Sequence, residues 1–283
     1  MKADLDAWRD NAAMTDPAAW SRAADPARRI GRVIEFHAAI GSTNDRARAA
    51  LVEPGGVGLA VVADEQLAGR GRRGRTWLSP PGMNLMVSIA LRPKIDTRRG
   101  GLLGAAAALA VLRACSRFSP SAELAIRWPN DLVDDGGRKV AGLLIETALE
   151  EGRLAEAVIG IGINANWRRA EMPDEIAEQA TSLAELAGGP VDRVALLSEL
   201  LVALDDEVGR LQQGGSPVPR LRQHSWLDGR RVEVDLGDRT LAGRAIGLDD
   251  DGGLLLEVDA EVVTLTVGEV LRVQDAPLTR VTG

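Results

Sequence analysis

The chain has 283 residues, 45% of them hydrophobic and 27% charged, with a formal net charge of −7. That length suits one large domain with a small appendage, or two mid-sized domains, and the acidic balance argues against general nucleic-acid binding, which requires a basic field. A single cysteine, Cys115, excludes an internal disulfide framework, and with only His37 and His224 available the chain is a poor candidate for a cysteine- or histidine-ligated metal centre.

In chain order, residues 1–29 have weak periodicity broken by Asp16-Pro17 and Asp25-Pro26, and read as a loosely helical lead-in. A strand is expected over 30–36, a helix from Ser42-Thr43-Asn44 to about 52 with the hydroxyls as N-cap groups, and a buried strand over 58–63. A polar Gly/Arg-rich loop follows over 64–81. Residues 85–91 alternate like a strand, and 101–118 form a small-residue helix suited to close packing on a sheet. Strands are expected over 124–128, 131–133, 139–148 and 155–163, then helices over 181–187, 192–211 and 219–226. From 230 to 273 there are four or five short β-rich runs, separated by turn signals at Gly237-Asp238, Asp251-Gly252-Gly253 and Gly268. The organisation predicted is therefore a lead-in (1–29), an α+β body built on a mixed sheet (30–225), and a small all-β, barrel-like module (226–283). No run approaches the roughly 18–20 apolar residues that span a bilayer, and no signal-peptide core is visible, so the cytoplasm is the expected location.

Three segments carry candidate chemistry. Gly69-Arg70-Gly71-Arg72-Arg73-Gly74-Arg75-Thr76-Trp77 formally matches a dinucleotide fingerprint, but Leu78-Ser79-Pro80-Pro81-Gly82 forbids the helix that such a site needs. Its glycines allow backbone N–H groups to wrap an anion, and four arginines in six residues add bidentate positive charge. Such a loop repels itself and is expected to be mobile until a phosphate or carboxylate draws it closed; a solvated basic loop or a nucleic-acid contact is the alternative. Next, Lys139 begins an apolar strand, with Gly142 three residues on and Arg127-Trp128-Pro129-Asn130-Asp131 upstream. The lysine is either a point charge aimed into a site or a strand-end cap in solvent, and Asp131 either holds Mg²⁺, pairs with a base, or is part of a turn. Finally, the alternating glycines of Gly160-Ile161-Gly162-Ile163-Asn164 mean that something packs on the strand's bare face, a ligand or a helix.

Taken in order, Ser42-Thr43-Asn44, Gln66, the Gly69–Trp77 loop, Trp128-Pro129-Asn130-Asp131, Lys139-Val140-Ala141-Gly142 and Gly160-Ile161-Gly162-Ile163-Asn164 resemble the biotin protein ligases over roughly residues 32–275. The resemblance implies the mixed-sheet catalytic domain of the biotin/lipoate ligase type with a C-terminal SH3-like β-barrel. It also implies ATP-dependent activation of biotin to biotinyl-5′-AMP and transfer to a lysine of a biotin carboxyl carrier protein, with Mg²⁺ assisting. By the same resemblance Ser42, Thr43, Gln66, Gly69, Arg70, Arg72, Lys139 and Gly142 face biotin. Gly71, Arg73, Trp77, Asn130, Asp131 and Asn164 face the nucleotide, Asp131 with the metal. Lys139 and Arg72 are the catalytic cations. Lipoate or octanoate ligases and transferases of the same fold are the nearest alternative, although nothing around Cys115 looks like a transferase nucleophile. Two departures stand out. Arg127 replaces the usual lysine. Only about 30 residues precede the first core strand, where some members carry a winged-helix domain, so neither DNA binding nor repression is expected. No membrane contact is expected, and the protein is expected to be a monomer or weak homodimer.

Overall fold

The computed structural model describes residues 16–274 apart from Pro26 and Gly152; the expectations for 1–15 and 275–283 lie outside the described residues. Seven strands form the main sheet: β1 (Ile34–Ile40), β2 (Ala60–Gln66), β3 (Leu85–Leu91), β4 (Ala125–Arg127), β5 (Asp131–Val133), β6 (Lys139–Glu150) and β7 (Arg153–Ile163). Their spatial order is β1-β2-β3-β7-β6-β5-β4. The β1–β2 pair is parallel and every other pair is antiparallel. A parallel pair needs a crossover, and the helix between these two strands lies within it. The helices are α1 (Pro17–Ser21), α2 (Thr43–Ala50), α3 (Leu102–Phe118), α4 (Asp174–Ala177), α5 (Leu183–Ala187), α6 (Arg193–Gln212) and α7 (Val218–Gln223).

The two faces of the sheet are used differently, and strand alternation says which residue goes where. On one face Val62, Val87, Ile89, Ile159, Ile161 and Ile163 join the main apolar core with α3 and α6. Four alanines of α3, Ala106, Ala107, Ala110 and Ala114, are fully buried and allow the close helix–helix and helix–sheet approach that its composition predicts. A stretch reaching from residue 97 through α3 is long and apolar enough to cross a membrane, but 67% of its apolar window is buried inside the fold. On the other face α2 covers only one end of the sheet, packing Ala47, Ala50 and Leu51 on Val61, Ala90 and Val158. The rest of that face carries Ser88, Gly142, Gly160 and Gly162, and it is where the site lies.

Five strands, β8 (Arg231–Asp235), β9 (Thr240–Leu248), β10 (Leu254–Val258), β11 (Glu261–Leu265) and β12 (Glu269–Val273), make a second, antiparallel sheet in the order β11-β10-β9-β8-β12. Its inward residues Val232, Val234, Ala245, Leu254 and Leu256 belong to the same continuous apolar cluster as the main sheet.

Among the element boundaries that differ from the sequence reading, two have clear local reasons. The first strand begins at Ile34 rather than residue 30, because Gly31 takes φ +74, a left-handed conformation that interrupts extension. The last helix stops at Gln223 rather than 226. There Ile126 N–H donates to His224 O (2.7 Å) and Trp226 N–H donates to Ile126 O (2.9 Å), drawing residues 224–226 alongside β4.

Candidate active site

The site begins at the N-terminus of α2. Ser42 is its N-cap residue, but its hydroxyl makes no capping bond, contrary to the role expected from sequence. Instead the neighbouring hydroxyls point into a polar network. Thr43 donates from both its backbone N–H (2.8 Å) and its Oγ1 (2.9 Å) to Gln66 Oε1 at the end of β2. Ser88 Oγ on β3 lies 2.7 Å from Thr43 Oγ1 and 2.6 Å from Asn44 Oδ1. Asn44 Nδ2 donates to Glu146 (2.7 Å), which fixes the amide so that Oδ1 faces Ser88. The proton count is informative. Thr43 has spent its proton on Gln66, so Ser88 has one proton for two acceptors. This buried network is one donor short and accommodates a ligand N–H.

Beside it, Gly160 and Gly162 on β7 and Gly142 on β6 form a floor without side chains. A Cβ at Gly160 would meet Asn44 Oδ1 at 2.2 Å, and one at Gly162 would meet the Trp77 indole at 2.5 Å. The alternating glycines are therefore explained by Asn44 and Trp77, which lie against the strand. A Cβ at Gly142 would meet Lys139 Nζ at 2.6 Å, so this glycine lets the Lys139 chain fold back over its own strand. The Lys139 ammonium stands 5.3 Å from the Trp77 ring centre. Trp77 Nε1 is buried without a hydrogen-bond partner, a second buried polar group with unused capacity.

The arginine loop is a closed hairpin. Gly71 N–H donates to Arg75 O (2.7 Å), Trp77 N–H to Gly69 O (3.0 Å), and one 3₁₀ turn spans Arg72–Gly74. No helix opens at its third glycine, which agrees with rejecting the dinucleotide reading. The expected self-repulsion is met by a partner for every arginine. Arg70 makes a bidentate pair with Asp45 of α2 (2.8 and 2.6 Å). Arg72 donates to Asn130 Oδ1 and Gly268 O, both at 3.1 Å. Arg73 pairs with Asp235 and Arg75 with Glu269. Burial lowers the Arg72 pKa, and the like charges of Arg73 and Arg75 lower it further. The Arg70 guanidinium holds the Asp45 carboxyl below its ordinary range.

Behind the loop lies a charge cluster. Asp131 on β5 is paired with Lys139 (2.7 Å) and Arg127 (2.9 Å). Burial by itself would raise the Asp131 carboxyl, yet the two cations outweigh it and hold it below the ordinary value of 3.8. Asn130 Nδ2 donates to Leu143 O (2.6 Å), which leaves its Oδ1 for Arg72. The expectation that Asp131 holds Mg²⁺ does not fit this arrangement. Both of its oxygens face cations, and no group of three acidic, histidine or cysteine residues able to hold a metal occurs among the described residues. Asp131 is read instead as the counter-ion of Lys139 and Arg127.

Two cavities open between these groups. The narrower, ≈50 Å³, is lined by Ser42, Thr43, Asn44, Gln66, Arg70 and the glycine floor; the wider, ≈250 Å³, lies between the main and C-terminal sheets and includes Arg127, Trp128, Asp131, Gln179 and Glu269. Gly71, Arg72, Trp77, Asn130 and Lys139 line both. Three of the residues named from sequence line neither. Gly69 closes the hairpin, because a Cβ there would lie 2.6 Å from Trp77 O. Arg73 turns away to Asp235. Asn164 donates to Lys139 O (3.2 Å), so it props the strand that carries the lysine. Sequence reasoning left Asn44, Ser88 and Glu146 out of the site. Ser88 had a signal, being the one hydroxyl in the otherwise apolar strand Leu85–Leu91; Glu146 had none beyond its position after the Lys139 motif.

Residues 38–164 match the model of the Biotin/lipoate A/B protein ligase family, and 229–273 match that of the Biotin protein ligase C terminal domain. The chain is 33% identical to a biotin–[acetyl-CoA-carboxylase] ligase of Mycobacterium tuberculosis, over 86% of this chain and 90% of that one. It is 34% identical to the bifunctional ligase/repressor BirA of Bacillus subtilis, over 81% and 71% respectively. Among solved structures, the biotin protein ligase of Aquifex aeolicus in complex with biotin and ATP is similar at a TM-score of 0.69 and 29% identity, covering 84% of this chain and 97% of that one.

Proposed function

This chain belongs to the biotin protein ligase family, and we propose that it activates biotin with ATP to biotinyl-5′-AMP and then transfers the biotinyl group to a lysine of a biotin carboxyl carrier protein. The observation that carries the reading is the shared wall: Lys139 and Arg72 line both the narrow cavity and the wide one. A two-substrate reaction between anions needs cations at the junction of their sites.

The narrow cavity suits the ureido ring, a neutral group with two N–H donors and one C=O. Its donor-short network at Ser88, Thr43 and Asn44 takes an N–H, and Thr43, Ser42 and Gln66 supply the polar wall. The wide cavity takes the nucleotide, with ATP arriving as its Mg²⁺ complex, since the described residues hold no cluster of three acidic, histidine or cysteine side chains for the metal. In the first step a carboxylate oxygen of biotin attacks the α-phosphorus and pyrophosphate leaves. Lys139 and Arg72 offset the repulsion between the two anions and stabilise the charge that accumulates as they approach. Asn130 aims Arg72 and Asn164 holds the Lys139 backbone. In the second step the carrier amine attacks the acyl carbon and AMP leaves, so no enzyme nucleophile is required. Cys115 is buried with its thiol pushed well up by burial, and it lines neither cavity, which counts against the acyl-transferase alternative.

The test is intact-mass analysis of a biotin carboxyl carrier domain incubated with the protein, biotin, ATP and Mg²⁺. One biotin increment is expected, with the rate falling on the order of 10²–10³-fold in Lys139→Ala, about 3–4 kcal/mol of transition-state stabilisation. No increment with biotin, but one with lipoate or octanoate, would overturn the substrate assignment.

A further inference from the structure

Two of the four loop arginines, Arg73 and Arg75, are held by the C-terminal sheet, and Arg72 is shared between it and Asn130 of the catalytic domain. Arg72 donates to Gly268 O (3.1 Å), Arg73 reaches the carboxylate of Asp235 as well as its backbone O (3.1 Å), and Arg75 pairs with Glu269. Asp235 closes β8 and Glu269 opens β12 opposite it, and the turns adjoining them, after β8 and before β12, face the loop. Both turns are built for the task. Gly237 takes φ +101 and its N–H donates to Asp235 Oδ1 (2.7 Å), which orients that carboxylate. Gly268 cannot carry a Cβ, because Val234 would lie 2.7 Å from it, and its bare backbone brings its carbonyl against Arg72. The core of the C-terminal fold is Val232, Val234, Leu254 and Leu256, so the Glu269 carboxylate lies outside it, and that of Asp235 serves the fold only through the Gly237 N–H, which an amide oxygen would also accept.

We propose that Asp235 and Glu269 are positioning residues, an acidic clasp through which the C-terminal sheet holds the arginine loop down and so sets the Arg72 guanidinium over the junction of the two cavities. Part of this inference, the retention of an acyl-adenylate, rests on the ligase reading; the loop's tether does not. The clasp makes the small domain a determinant of how long the activated intermediate is kept, since an open loop exposes a hydrolysable anhydride to water. Each pair is partly exposed, with Arg73 and Asp235 at 32% and 31% and Arg75 at 65%. Such pairs shift an equilibrium by up to about 5-fold apiece and the two factors multiply, so at about 3-fold each roughly 10-fold is expected for both together, and salt should weaken them.

The loop is itself a set of trypsin sites, which gives a readout that needs no ligand. In the full-length protein, Asp235→Asn with Glu269→Gln is expected to raise the rate of tryptic cutting after Arg72, Arg73 and Arg75 about 10-fold, located by mass spectrometry, with the thermal unfolding midpoint little changed. High salt should raise the wild-type rate toward the variant's and leave the variant's nearly unmoved. Asp235→Glu with Glu269→Asp should restore protection, which a merely structural role of the side-chain shape would not predict. In parallel, loss of biotinyl-adenylate during rapid gel filtration should be about 10-fold faster in the amide variant. Unchanged loop cutting in the amide variant overturns the clasp. Faster cutting with no adenylate formed even by the wild type would leave the clasp standing and count against the ligase reading instead.

Discussion

Gly162 shows how a single missing side chain fixes the place of another residue. With its Cβ position 2.5 Å from the Trp77 indole, Gly162→Ala must push the ring off the sheet and into the space between the cavities. Over-packing of this kind costs about 1–3 kcal/mol. Because the indole borders both cavities, that cost is expected as a roughly tenfold or greater rise in the KM for ATP in a pyrophosphate-release assay, with the KM for biotin raised as well. Asp131 makes a different prediction. Its carboxyl is held below 3.8 by Lys139 and Arg127 despite burial. A depressed acidic pKa contributes stability that is present above the unfolded value and lost as pH falls through the folded one. The protein should therefore lose stability, and Lys139 its counter-ion, below about pH 4. Asp131→Asn should flatten that acid limb in unfolding curves measured from pH 7 downward, at the expense of leaving Lys139 and Arg127 facing each other at neutral pH.

At the scale of elements, α2 and β3 cooperate through hydroxyls that a reader of sequence assigns to capping. A helix N-terminus usually satisfies its orphan N–H groups with the N-cap side chain. Here Thr43 N–H goes to Gln66 of β2, which ties helix to strand across the pocket mouth. Ser88→Ala removes the hydroxyl between Thr43 and Asn44. Isothermal titration is expected to show weaker biotin binding by about 1–3 kcal/mol, the cost of a buried hydrogen-bonding position lost, with the sheet intact because residue 88 remains a well-packed strand position. The pattern of elements was legible because periodicity and breakers act locally: β3 and β5 were located to the residue, and α3 and α6 to within one. The pocket's polar wiring was not, because Ser88, Asn44 and Glu146 are brought together by contacts 44 and 102 residues apart in the chain, and no local signal encodes such a meeting.

On the scale of the whole molecule, the unused face of the main sheet is what makes a site possible, and the covered face is what holds it still. Beneath the sheet, Arg193 at the start of α6 is fully buried and paired with Asp64 of β2 (2.8 Å), while also donating to Asn84 O (3.0 Å). Its guanidinium lies 5.3 Å from the Trp20 ring of α1, which stacks on Phe36 of β1. This pair links four elements, and its value lies in not being broken. Asp64→Ala leaves a buried guanidinium without its carboxylate and should cost about 3–5 kcal/mol, read as a lowered midpoint in urea denaturation with little change in the slope. The C-terminal sheet completes the molecule by sharing the core cluster and reaching the arginine loop from above.

The sequence by itself determined the mixed sheet, its helices, the β-rich module and the order of motifs that places the chain among the biotin protein ligases. These follow from hydrophobic period, turn chemistry and the spacing of residues within each motif, signals that are each written within a short stretch of chain. Tertiary structure alone placed Arg73 against Asp235 of the C-terminal sheet, Asn164 on the Lys139 carbonyl, and Asp131 between Lys139 and Arg127. The reason is physical. A polar side chain takes the partner that folding brings within a few ångströms, which its neighbours in sequence do not specify, and around buried Asp131 the low-dielectric surroundings strengthen that choice.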